Sequence, residues 1–111
     1  MAVPFKAPVK DITFGYEVID SYNILNKISE FSDFSEDIVI PTMEECAKFS
    51  EEVLAPINAI GDQQGATIDN GFVKMPQEFI DAYKKFAEAG WASISLPEEI
   101  GGGGQPITLS G

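Results

Sequence analysis

From Val9 onward the apolar residues Ile12, Tyr16 and Ile19 recur at helical spacing, and Asp11 stands where an acidic side chain favours a helix N-terminus. The pattern predicts a first helix beginning near Val9. Before it, Met1 to Pro8 carries two prolines and no clear period, so it reads as an extended arm. A second, short helical piece is expected over Tyr22 to Ile28. Phe31-Ser32-Asp33-Phe34-Ser35 then connects to a longer helix, with Ser35 as its N-cap ahead of Glu36 and Asp37. That helix should run from about Glu36 to Ile60. Met43, Cys46, Ala47, Ser50, Leu54 and Ile57 share one face, and Glu44, Lys48 and Glu52 form successive i,i+4 opposite-charge pairs on another. Pro41 and Pro56 should kink it or trim its ends, and Gly61 is the expected C-terminal cap.

Beyond Gly61 the period changes. Asn70-Gly71 between Ile68 and Phe72-Val73 signals a tight hairpin-like turn. Pro76 fits the first position of another helix, whose buried stripe would be Phe79, Ala82, Tyr83, Phe86 and Ala87, ending at Gly90. Asp81 with Lys85, and Lys84 with Glu88, would pair on its solvated side. Trp91 is expected to be largely buried, Ser93 to Pro97 to be extended, and Gly101 to Pro106 to be a loop. Ile107-Thr108-Leu109 looks like the start of a further element, which suggests a truncated chain. The expected fold is all-α: a small bundle of three main helices plus short ones, with a minor hairpin. It forms one domain over residues 9–111, preceded by the arm over residues 1–8.

Composition narrows the function. The 111 residues hold 18 acidic and 7 basic side chains, a formal charge of -11, and 44% hydrophobic residues. Such a chain is globular, and could bury roughly 65% of its unfolded surface. It has no histidine, and every basic residue is a lysine. Ser-His and Cys-His pairs and histidine-based zinc sites are therefore excluded, as is a guanidinium clamp for phosphate. Phosphate backbones are bound mainly through Lys and Arg, so nucleic acid is no partner for so acidic a chain. One cysteine permits no internal disulfide and points to a reducing, cytoplasmic setting. No uninterrupted apolar run forms a signal peptide or a membrane span. Eight phenylalanines, three tyrosines and one tryptophan are a heavy aromatic load, and some should form a contiguous exposed apolar patch.

Each candidate for chemistry has a plainer reading. Cys46 lies on an apolar helical stripe with no histidine to activate it, so it should be core packing. The adjacent acids Glu44-Glu45, Glu51-Glu52 and Glu98-Glu99 cannot converge on one atom, because neighbours on a helix diverge by about 100°. They read as solvated surface. Asp62, Asp69 and Asn70, near Gly65 and Gly71, lack the ligand alternation of a calcium loop and read as turn residues. Gly101-Gly102-Gly103-Gly104 is followed by Gln105-Pro106 rather than the Lys-Ser/Thr of a phosphate-binding loop. Asp20-Ser21 in an acidic helical chain raises the alternative of a phosphopantetheine carrier, although no glycine precedes the pair and Tyr22 stands where a leucine is usual.

An ordered combination rises above these fragments. It starts with Phe5-Lys6-Ala7-Pro8, Asp11 and Phe14, then Ala47-Lys48-Phe49, Glu51 to Asn58, Gly61-Asp62 and Gly65. Phe79 to Tyr83, Phe86, Glu88, Gly90-Trp91, Leu96-Pro97-Glu98-Glu99 and Gly101-Gly102 complete it. This series resembles the N-terminal helical domain of acyl-CoA dehydrogenases, and its Lys-Ala-Pro opening resembles the larger subgroup that includes the 3-methylmercaptopropionyl-CoA dehydrogenases. The subgroup's usual Gly-Gly-Gln-Gly-Leu-Pro reads Gly-Gly-Gly-Gly-Gln-Pro here. The resemblance implies a truncated piece of a larger α/β/α-layered flavoenzyme. In that enzyme a glutamate removes the α-proton of an acyl-CoA thioester while the β-hydride passes to FAD. It further implies a homo-oligomeric parent, with the flavin segments and the catalytic glutamate in later domains. No catalytic, cofactor-binding or metal-ligating residue is then expected within residues 1–111.

Overall fold

A computed structural model describes residues 4–111, mostly helical with one small antiparallel hairpin. Of the expected arm, residues 1–3 lie outside the described residues, and Pro4 to Pro8 has no regular secondary structure. Helix α1 (Val9–Val18) starts at Pro8, whose missing N–H would have no partner there. It ends before Asp20, whose left-handed φ of 55° turns the chain into α2 (Ser21–Leu25). Ser35 is extended, and its carbonyl accepts the amides of Ile38 and Val39, so α3 (Glu36–Phe49) starts where the N-cap and acidic first turn place it. Pro41 lies inside α3, which continues past it.

Pro56 has the larger effect. Its ring crowds the preceding turn and it donates no hydrogen bond. The helix changes register around it, opening into a π turn at Ser50–Leu54, tightening to a 3-10 turn at Ala55–Ile57, and resuming as α4 (Asn58–Gln64). The expected end at Gly61 is therefore corrected. Gly61 is inside α4, where Phe79 packs so closely that a Cβ would stand 2.1 Å from its ring. The helix stops instead at Gly65, with φ 62°. Strands β1 (Thr67–Asp69) and β2 (Phe72–Lys74) pair with Ile68 opposite Val73, and Asn70 and Gly71 both take positive φ in the connecting turn.

Helix α5 (Gln77–Glu88) follows Pro76, but its stripe is narrower than expected: Ala82 is buried and Phe79 and Phe86 half-buried, while Tyr83 is 69% exposed and Ala87 is exposed. Ser93 to Pro97 is not extended. Gly90, at φ 82°, turns the chain into a 3-10 turn at Trp91–Ser93, and bonds from Ser93 N–H to the Gly90 carbonyl and from Leu96 N–H to the Ser93 carbonyl keep it coiled. Trp91 is half-buried rather than enclosed. The last residues form a short helix, α6 (Ile107–Ser110).

The main core gathers Tyr16, Phe34, Val39 and Leu109 from α1, the connector, α3 and α6. Tyr22 packs on it, its ring 6.0 Å from Tyr16 and 5.7 Å from Phe34. Of the α1 stripe, only Tyr16 is buried, while Ile12 and Ile19 are exposed. Helices α3 and α5 touch through Phe49 and Phe86, with ring centres 6.2 Å apart. The helices spread into a slab of 52 × 35 × 18 Å, with a radius of gyration of 17.2 Å where about 13 Å is usual for this length. The slab exposes 8127 Å², against about 6,000 Å² for an ordinary monomer of its mass. Much of that surface is apolar, including Phe14, Val18, Ile68, Phe72 and Ile107. None of the described helices is long and apolar enough to cross a membrane.

Candidate functional site

The register change at Pro56 sets the geometry of the candidate site, because it puts Leu54 where three apolar depressions meet. One, of about 180 Å³, lies among Met43, Cys46, Phe49, Phe86, Trp91 and Leu109, with Thr42, Ser50 and Ser110 as its polar groups. The second, of about 250 Å³, is bounded by Ile57, Phe79, Ala82 and Tyr83. The third, of about 690 Å³, is walled by Pro4 and Phe5 of the arm against Ser50, Ala55, Asn58 and Ala59. All three are open to solvent. Such walls offer apolar contact and a few hydroxyl or amide groups, and no charged group aimed into them.

The sequence candidates fall as follows. Cys46, expected in the core, is exposed. Helix α5 meets α3 at Phe49, beyond Cys46, so the thiol stays at the mouth of the smallest depression. Glu44, Glu45, Glu52, Glu98 and Glu99 are exposed, as are Asp62, Asp69 and Asn70. The anticipated i,i+4 ion pairs do not form among the described residues: the salt bridges are Lys6–Glu51 and Asp69–Lys74, and Asp81 instead accepts a hydrogen bond from Gln77. No group of three metal-ligating side chains occurs among the described residues. Ser21, the first residue of α2 after the Asp20 turn, is 5% exposed.

Glu51 departs from its solvated-surface reading. Its Oε1 accepts the backbone N–H of Ala7 at 2.9 Å, and its Oε2 lies 3.5 Å from the Lys6 ammonium. The hydrogen bond from the Ala7 N–H is the largest effect and, against the opposing desolvation and with help from the nearby Lys6 cation, holds its carboxyl below the ordinary carboxylate value. Only the order Glu-Glu-Val-Leu-Ala-Pro hinted at this, by placing a carboxylate ahead of the register-breaking proline.

The glycine run is a packing device. The amides of Gly101, Gly102, Gly103, Gly104 and Gln105 donate to the carbonyls of Glu98, Pro97, Ser93, Leu96 and Ile94, at 2.9–3.0 Å. A Cβ on Gly102 would stand 2.1 Å from the Leu96 carbonyl oxygen. These amides face the 93–98 turns and leave none for an outside anion. With no arginine and the lysines dispersed, the residues present do not fit the pyrophosphate of FAD.

Comparison with known proteins agrees with the order of the motifs. Over 102 residues, 92% of the chain, it is 36% identical to a 3-methylmercaptopropionyl-CoA dehydrogenase from Ruegeria pomeroyi. The chain is homologous to part of an acyl-CoA dehydrogenase. It spans 17% of that relative's length, and no protein-family model matches it. Within the chain, the apolar face around Leu54 is the feature with most capacity to engage something else.

Proposed function

We propose that the chain is the N-terminal helical layer of an FAD-dependent acyl-CoA dehydrogenase that performs α,β-dehydrogenation of an acyl-CoA thioester. The layer comprises residues 9–111 behind the arm of residues 1–8. Its part is structural: the face around Leu54 packs against later domains of the parent and helps to wall the acyl pocket, while base and flavin come from elsewhere in the chain. The segment alone holds no flavin and turns over no substrate. A cytosolic, homo-oligomeric parent completes the proposal.

The observation that carries this reading is the 36% identity over 92% of the chain. The excess surface of the slab supports it, since a single layer of helices leaves apolar faces that ordinarily meet a second layer. An acidic carrier or adaptor is the competing class, and the burial of Ser21 weighs against the carrier form. The test has two arms. The complete gene product should be yellow and should reduce an artificial electron acceptor when given an acyl-CoA. The 111-residue chain should be colourless and leave FAD fluorescence unchanged. A complete product lacking both flavin and activity rejects the dehydrogenase reading. A yellow isolated segment rejects its purely structural role.

A further inference from the structure

We propose that Pro4 to Pro8 is a strap, closed onto the π turn by the Glu51 carboxylate, and that its closure builds one wall of the apolar groove beside Leu54. The strap has no strand or helix partner. The ring of Pro4 fixes its own φ, and the ring of Pro8 confines Ala7 to extended backbone, so the segment is stiff enough to lie across a neighbour without regular pairing. Its attachment is specific: Ala7 N–H donates to Glu51 Oε1 at 2.9 Å across 44 residues of sequence, and Lys6 Nζ sits 3.5 Å from Oε2. One carboxylate thus takes a backbone amide on one oxygen and a cation on the other, and charge-assisted bonds of this kind are stronger than neutral ones.

Three features suggest a closure rather than ordinary packing. Glu51 lies within the π turn, where the long helical run first leaves its α register. The Lys6 side chain is 85% exposed and Phe5 is partly exposed, so the strap is held at one point rather than enclosed. Pro4 and Phe5 also supply a wall of the 690 Å³ groove whose floor includes Leu54 and Ala55. Releasing Glu51 would remove that wall while leaving the Tyr16–Phe34–Val39–Leu109 core unbroken.

The test is made on the complete gene product. In hydrogen exchange, the Ala7 amide should be protected while those of Phe5 and Lys6 exchange freely. An Ala7 amide exchanging as fast as its two neighbours overturns the closure without any variant. In timed trypsin digestion, Glu51→Ala should accelerate cleavage after Lys6 at least tenfold, relative to cleavage after Lys84 and Lys85 in α5. An unchanged ratio overturns the proposal, whether because neither site responds or because both speed up together.

Discussion

Tyr16 donates its hydroxyl to the backbone carbonyl of Thr108 at 2.7 Å, joining the first helix to the last. Burial raises the Tyr16 pKa above its ordinary value of 10.0, because the phenolate would lose solvent in the core. A raised pKa favours the neutral, folded form. The stability it contributes is complete below about pH 10 and drains away as the pH rises toward the folded-state pKa. Tyr16→Phe should cost about 1–2 kcal/mol at neutral pH, since it also leaves the Thr108 carbonyl without its donor. Urea unfolding at pH 7 and pH 11 checks both: the gap between the two proteins should narrow at the higher pH.

Phe34 and Trp91 should respond differently to truncation. Phe34 is 2% exposed at the centre of the main core, and Phe34→Ala is expected to cost about 3–5 kcal/mol. Trp91 borders open depressions, so Trp91→Ala should cost only about 1–2 kcal/mol. Denaturant midpoints that rank the two in the opposite order would contradict the placement of the core.

Two glycines offer changes of opposite sign. Gly15 is inside α1 with nothing within 4 Å of where a Cβ would stand, so Gly15→Ala should stabilise by about 0.5–1 kcal/mol through helix propensity. Gly102→Ala would drive its methyl into the Leu96 carbonyl and should destabilise by about 1–3 kcal/mol. Paired thermal melts provide the comparison.

The isolated segment should self-associate. Its apolar residues are spread over a thin layer, and exposed patches beyond a few hundred Å² are unusual on free monomers. Sedimentation at rising concentration should show species larger than 12.0 kDa, with binding of an apolar-surface dye. A monodisperse monomer that binds no dye would contradict this.

The elements set by local chemistry were legible in the sequence. The periodicities of α1, α3 and α5 and the Asn70-Gly71 turn are written within a few residues of themselves. Relationships between distant segments were not. Gly61 looks like a cap until Phe79 arrives from another helix, and Cys46 looks like core until α5 meets α3 further along. Glu51 shares a charged composition with Glu44 and Glu52, and only the fold brings Ala7 to it. The convergence at Leu54 depends on a register change whose cause, Pro56, was visible but whose direction was not.

The bond between Tyr16 and Thr108 spans 92 residues, and this has a consequence during synthesis. At 5–20 residues per second, roughly 5–18 s separate the appearance of Tyr16 from that of its acceptor. Leu109 completes the same core at almost the same moment. Phe34 and Val39, made early in that interval, have no finished core to enter until it ends, so the nascent chain carries them unpacked for most of its synthesis.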